Sequence, residues 1–536
     1  MSTDKNVQQL IASMTIAEKV GQLFILAFAG PDKEYALSLV KDKHIGGFYI
    51  TDDNAGDLQQ AKLLAQSLQA QAALRVCDAP LILGVDQEGA WGILAKQTDL
   101  GPGNLALGKV DDLTLTANVY QVFAQQMQAL GYNTLLSPCA DINANPKNPI
   151  IGQRAFGEQT ERVASHVAAA IKGIKRTQNL ACAKHFPGHG DTHTDSHRDL
   201  PVVDKDLLVL LTQDLAPFQA AVDSGVDLIM TSHIKYPQLD KDNPATLSRT
   251  ILTDLLIKEM KFDGLIITDS MNMWAMRKYY QPEQAAIRAL EAGAHLIMLS
   301  EEHYENESTD YKAIQTQTID GVIQAVESSQ LDEAIIDKAL AKVLLHRYKK
   351  LADTEFKTLS AISDKQASEF SRQACLRAVS RLRDNNSLLP LTDKPFYISF
   401  MANPKGYENI VNSRGIGPND ARSAKDGILN QLNLLGKNYQ HIEYHEFEAW
   451  LAKQQTLDTP LVLVTEDYPL AGESFDTPEQ VNRVQNALTK LADNILVLAM
   501  RSDYELAFYP QLSTYVCAYS SRYLAAQQAV YSLFEK

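Results

Sequence analysis

The sequence predicts a (β/α)8 barrel of the TIM type in residues 1–350, a linker at 351–372 and a smaller α/β domain at 373–536. Three observations carry this. Short apolar runs rich in Ile, Leu, Val and Phe alternate with longer stretches of helical periodicity, the pattern of a parallel sheet wrapped by helices. Eight such runs fall within the first 300 residues. Several end in polar, chemically capable side chains: Asp86, Asp141, Lys184 with His185, His233 and Asp269. A closed barrel brings all those strand ends to one face. An open doubly wound sheet, the competing architecture, spreads them along a line.

In order, the runs are GQLFILAF (21–28), HIGGFYI (44–50), LILGVDQEG (81–89), YNTLLSPCADI (132–142), LACAKHF (180–186), DLIMTSHI (227–234), GLIITDSM (264–271) and HLIMLS (295–300). Between the second and third, Leu58, Ala61, Leu64, Ala65 and Leu68 fall on one helical face. Residues 308–350 read as further helices outside the barrel. Beyond the linker, FYISFMA (396–402), PLVLVTE (460–466), NILVLAM (494–500) and TYVCAYS (514–520) are strand candidates for a small open sheet flanked by helices. No residue of 373–536 carries a catalytic signal, so this part reads as a support or oligomerisation module.

With 536 residues, 45% hydrophobic and 21% charged, the chain has the composition of a two-domain globular protein. Its 65 acidic against 50 basic residues argue against nucleic acid or an anionic membrane as partner, since both demand basic patches. No apolar run is long enough to span a bilayer, and the start MSTDKNVQQLIASMT lacks the basic and apolar segments of a secretory signal. The five scattered cysteines contain no CxxC pair and fit a reducing compartment, so a cytoplasmic location is expected. The oligomeric state is left open.

The stretch KHFPGHGDTHTDSH (184–197) holds four histidines and two aspartates. Pro187, Gly188 and Gly190 break regular structure after the fifth run, so Asp191–His197 forms a loop over the barrel mouth. If that loop is extended, His193, Asp195 and His197 share a side. Asp195 is then placed to orient His197 and raise its affinity for a proton, making a proton donor and acceptor near neutral pH. His-x-Asp-x-His is also a metal-ligand spacing, but the neighbouring lysine opposes a divalent ion, and neither metal nor cofactor is expected. With two glycines and few apolar anchors, the loop is expected to open and close over the mouth.

Asp269 follows LIIT at a strand end. There an aspartate either caps the next helix or serves at a barrel mouth as a covalent nucleophile toward an anomeric carbon. Asp86 and Glu88 form a pair able to grip two hydroxyls or a cation, or simply to face water. Arg154, in NPIIGQRAFGE, offers a rigid fork of donors to a polar ligand or anchors its own loop.

Jointly, these blocks resemble glycoside hydrolase family 3, specifically its β-N-acetylglucosaminidase branch. KHFPGHGDTHTDSH is similar to the signature loop of that branch. GVDQEG, NPIIGQRAFG, MTSHIKYPQLD and GLIITDSMNM resemble its other blocks in the same order, within residues 10–350. RAVSRLRDNNSLLPL (377–391) resembles the start of the family's second, α/β sandwich domain.

The resemblance implies a retaining exo-glycosidase that takes a small carbohydrate substrate and no cofactor. It implies that Asp269 is the nucleophile and that His197, paired with Asp195, is the acid/base where most glycosidases use a carboxylic acid. It further implies that Asp86, Arg154, Lys184 and His185 hold the hydroxyls of the terminal sugar. The implied substrates are β-linked N-acetylglucosaminides, either muropeptides in cell-wall recycling or chitin oligosaccharides. A phosphorylase or β-glucosidase on the same fold, a metal-dependent hydrolase and a silent sugar-binding protein are the alternatives. Two departures stand out. GAWG (89–92) replaces the family's Gly-Gly-Arg-Val, and Ser270 stands where a second acid is common.

Overall fold

The computed structural model describes residues 3–89, 92–94, 96–148, 150–192, 200–300, 310–352, 359, 365–403, 422–466, 477–491 and 494–535. Its first sheet contains β1 (Phe24–Leu26), β2 (Gly47–Ile50), β3 (Ile82–Val85), β4 (Thr134–Leu135), β5 (Leu180–Phe186), β6 (Leu228–Thr231), β7 (Leu265–Ile267) and β8 (Ile297–Leu299). The strands are parallel and pair in chain order, and β8 returns beside β1. A bridge between Ile267 and Leu296 closes the ring. Each strand lies within one of the eight apolar runs, for a physical reason. A barrel strand is covered by helices outside and by layered side chains inside, so both of its faces are apolar. Every residue of β1, β3, β5 and β6 is buried accordingly.

The helix Leu58–Ala72 buries Ala61, Leu64, Ala65 and Leu68, and Asp57 caps it by accepting the N–H of Gln60 at 2.8 Å. Helices Tyr311–Glu327 and Glu333–Lys350 follow the last barrel strand. The second of these seals the N-terminal face. Arg347 is fully buried and donates to the carbonyls of Ala79 and Pro80, both at 2.7 Å, and to Gln22 Oε1 at 2.6 Å. Lys350 pairs with Asp227 at the start of β6. Arg347→Ala strands two buried carbonyls and is expected to lower the unfolding free energy by about 3 kcal/mol, read from urea denaturation. Turnover at room temperature should stay unchanged, because the strands' polar carboxyl ends lie at the opposite face.

A second sheet contains β9 (Ser380–Asp384), β10 (Phe396–Phe400), β11 (Tyr439–Ile442), β12 (Leu461–Thr465), β13 (Ile495–Ala499) and β14 (Thr514–Cys517). Its order is β11-β10-β12-β13-β14-β9, parallel except for β9. Alternate residues feed two cores, with Leu461, Leu463 and Val497 on one face and Val462, Val464 and Leu498 on the other. The four apolar runs supply β10, β12, β13 and β14. The edge strands β9 and β11 lie outside the four runs, since SRLRD and YQHI are only partly buried and carry no apolar run. The helix Lys365–Ala378 runs across the expected linker end at 372. It does so because Ala374 packs into the barrel core and Ala378 into the core of the second sheet. Among the described residues, no helix is long and apolar enough to cross a membrane.

Candidate active site

Asp86 and Glu88 follow β3, Arg154 closes the 3-10 turn Gly152–Arg154 after β4, and Lys184 and His185 lie in β5. The barrel brings all five to its C-terminal mouth. Arg154 forks onto Glu88, Nε to Oε2 and Nη2 to Oε1, both at 3.1 Å. Lys184 Nζ contacts Glu88 Oε1 at 3.2 Å and also binds Asp86 Oδ1. Tyr49, from β2, donates its hydroxyl to Asp86 Oδ2 at 2.9 Å. Two carboxylates thus balance two cations, which is what allows such charges to leave water. Burial pushes the Glu88 carboxyl up, but the Arg154 and Lys184 cations more than reverse this and hold it below its ordinary 4.5. Burial likewise depresses Lys184, and Asp86 and Glu88 carry it back above its ordinary 10.5.

Exposure separates the members of this cluster. The Asp86 side chain keeps 19% exposure, against 2% for Lys184, 5% for Arg154 and 0% for Glu88. Asp86 is therefore the acid that can meet a ligand. Glu88 does not join it in gripping hydroxyls, as a matched pair would; it is enclosed and grips the two cations.

His185 donates from Nδ1 to Asp141 Oδ2 at 2.7 Å, leaving Nε2 to accept from Arg154 Nη2 at 3.3 Å. Cys139 Sγ donates to the same carboxylate at 3.2 Å. The ligand atoms of Cys139, Asp141 and His185 are close enough to surround an ion. Their chemistry suits hydrogen bonding better, since the ring proton occupies the Asp141 contact and a guanidinium faces the other ring nitrogen.

Asp141 also ties down the loop after β5 by accepting the N–H of His189 at 2.7 Å. Asn148 Nδ2 donates to His189 O at 2.9 Å, Asn145 Nδ2 donates to Thr192 O at 3.1 Å, and the Tyr236 hydroxyl donates to Gly188 O. A Cβ on Gly190 would stand 1.6 Å from Ile142 O. These bonds tie down residues 188–192, whereas the expected opening and closing concerns the segment bearing His197, which lies outside the described residues. Gly190 permits close backbone approach rather than motion. His193, Asp195 and His197 lie outside the described residues, as do Ala90 and Trp91.

Asp269 stands two residues beyond β7, partly exposed, and its Oδ1 accepts the N–H of Ser270 at 2.7 Å. It does not cap the following helix, Trp274–Arg277, whose N-cap is Met273. The thiol of Cys182, inside β5, is raised by burial first, and Lys184, Asp86 and Asp269 all act on it electrostatically. Asp269 follows β7 as Asp86 follows β3, at the same C-terminal end of the parallel barrel as Lys184. His233, after β6, donates Nε2–H to Ser270 O at 2.9 Å, and its Nδ1 meets Thr246 Oγ1 at 2.8 Å. Ser270 Oγ meets Ser300 Oγ at 2.7 Å. Ser270 thus braces the Asp269 segment against the ends of β6 and β8, a use to which a hydroxyl is better suited than an acid.

Glu88 and Asp141 left a trace in the sequence, as acids that close apolar runs beside cations needing buried counter-charge. Tyr49 left none, because a tyrosine inside an apolar run reads as core.

Residues 15–345 match the model of the glycosyl hydrolase family 3 N terminal domain. The chain belongs to glycosyl hydrolase family 3. This family 3 chain is 29% identical over 375 residues to beta-hexosaminidase A of Pseudoalteromonas piscicida, a match covering 66% of the chain and 62% of the relative's length. It is 27% identical over 398 residues to a beta-N-acetylglucosaminidase/beta-glucosidase of Cellulomonas fimi, covering 72% and 68%. Its fold is similar to that of a glycoside hydrolase family 3 beta-N-acetylglucosaminidase from Paenibacillus sp. str. FPU-7, with a TM-score of 0.84, 27% identity and 97% of each chain covered.

Proposed function

We propose that this family 3 chain is a retaining exo-β-N-acetylglucosaminidase that removes terminal β-linked N-acetylglucosamine from muropeptide or chitin-type oligosaccharides. The observation that carries the reading is the charge-balanced cluster at the C-terminal mouth of the barrel, in which Asp86 alone keeps appreciable exposure, together with the partly exposed Asp269 just after β7 at the same end of the barrel. Asp86, Arg154, Lys184 and His185 hold the terminal sugar. Asp269 attacks the anomeric carbon as His197 protonates the departing oxygen, so the glycosidic bond breaks and a glycosyl-aspartate forms. Neutral His197, oriented by Asp195, then takes a proton from water, whose oxygen displaces Asp269 and restores the original anomer. The names of the Pseudoalteromonas, Cellulomonas and Paenibacillus proteins support the choice of an N-acetylhexosaminide. A role in cell-wall recycling within the cytoplasm is consistent with five buried cysteines that form no disulfide.

The test is product analysis on paired 4-nitrophenyl β-glycosides, with and without phosphate and a strong chelator. The N-acetylglucosaminide should be cleaved at least about a hundredfold faster than the glucoside, a gap of at least about 2.7 kcal/mol. The β-anomer should appear first, with no sugar 1-phosphate and no loss on chelation. Equal rates on the glucoside would make it a β-glucosidase, and a sugar 1-phosphate would make it a phosphorylase.

A further inference from the structure

The second domain meets the barrel at several places, among them Arg377 with Asp112 and Asp503 with Lys109, and three of its connections end on the segments that carry Glu88 and Arg154. Tyr504, just after β13, accepts from Asn143 Nδ2 at 2.8 Å and donates its hydroxyl to Glu158 Oε1 at 2.5 Å. Asn143 turns its other amide atom to the opposite side, where Oδ1 accepts the N–H of Gly152 at 3.1 Å. Gly152 opens the 3-10 turn that Arg154 closes, and its φ of 43° is one that a residue with a side chain adopts only at a cost. Arg522, after β14, donates Nε–H to the carbonyl of Gly89 at 3.1 Å. Gly89 is the residue next to Glu88.

A third connection runs through the helix Asn104–Val110. Its Leu105 and Ala106 belong to the apolar core of the second sheet. Its first residue, Asn104, donates Nδ2–H to the carbonyl of Arg154 at 2.6 Å and accepts the Tyr120 hydroxyl at 2.6 Å.

We propose that the second domain is a positioning module for the sugar-binding Arg154 and the enclosed Glu88 that holds it, with Tyr504 acting through Asn143 and Gly152, and Arg522 acting through Gly89. This rests on the reading that Arg154 belongs to the sugar site. Neither residue needs to touch substrate. Arg154 is held at both ends of its side chain, by Glu88 at the guanidinium and by its own turn at the backbone. A domain that pins the turn and the residue beside Glu88 sets where the fork points. Displacing a binding group by about an ångström costs on the order of a hundredfold at worst, so single positioning contacts should each read as about tenfold.

Tyr504→Phe and Arg522→Met, made separately in the full chain, test this by two measurements. Amide hydrogen exchange without substrate should quicken by about tenfold in residues 150–158 of Tyr504→Phe, while β5 and β6 keep their protection. On 4-nitrophenyl N-acetyl-β-glucosaminide, KM should rise by about tenfold in each variant with kcat changed less than threefold. Variants that melt lower yet keep wild-type KM and wild-type exchange at 150–158 would make the second domain a mere support and overturn the proposal. If the wild-type chain fails to cleave the N-acetylglucosaminide, the functional reading falls, and the exchange experiment alone then decides the coupling.

Discussion

Asp269→Asn lowers kcat on an N-acetylglucosaminide by on the order of 10⁴-fold while leaving the fold intact. Asparagine has the same shape, and its Oδ1 can still accept the N–H of Ser270 as the aspartate does at 2.7 Å. On the proposed mechanism, what it lacks is the charge that forms and later releases a bond to the anomeric carbon. The loss corresponds to about 5 kcal/mol of transition-state stabilisation. Single-turnover kinetics with mass spectrometry of the intact chain checks it. Wild type should show a glycosyl adduct during the burst, and Asp269→Asn should show none. An aspartate with a purely local backbone role predicts the reverse, a lower melting temperature with nearly normal turnover.

Glu88→Gln gives the second large effect, and on two readouts at once. The residue is enclosed between Arg154 and Lys184. Removing its charge leaves the buried cations Arg154 and Lys184 without the carboxylate that contacts both, at a cost of about 4 kcal/mol in unfolding free energy. Arg154 also loses its bidentate partner, so kcat/KM should fall by about a hundredfold. The pH dependence follows from the depressed carboxyl. Because Glu88 is held below its ordinary 4.5 in the folded chain, its contribution is complete above that pH and is lost as pH falls below it. Urea midpoints measured from neutral pH down to about pH 3 should therefore drop steeply for wild type, and less steeply for Glu88→Gln. If Glu88 instead met the sugar, only KM would move, and the two stability profiles would run parallel.

The barrel is legible in the sequence because its strands are buried on both faces. The apolar run LACAKHF, for example, becomes β5 without a residue to spare. The edge strands of the second sheet are not legible for the opposite reason. SRLRD at β9 pairs through its backbone with β14, and its polar side chains are only half-buried or exposed, so it carries no apolar run. Among the site residues, Asp86, Lys184, His185 and Asp269 announce themselves as polar groups closing apolar runs, and Arg154 as a cation in a loop. The histidine loop shows both sides of the matter. Its glycines read as hinges, yet Gly190 is there because Ile142 O leaves no room for a side chain.

Local composition by itself determined the eight barrel strands, the acidic character of the chain and the chemical types gathered at the strand ends. Only the tertiary structure decided which acid keeps its exposure and which is enclosed, and that Tyr504 meets Asn143, 361 residues away in the chain, whose other amide atom holds the turn ending in Arg154. The physical reason is range. Apolar periodicity is written between neighbours a few residues apart, whereas burial of a charge and the partner that satisfies it exist only once distant segments share the same space.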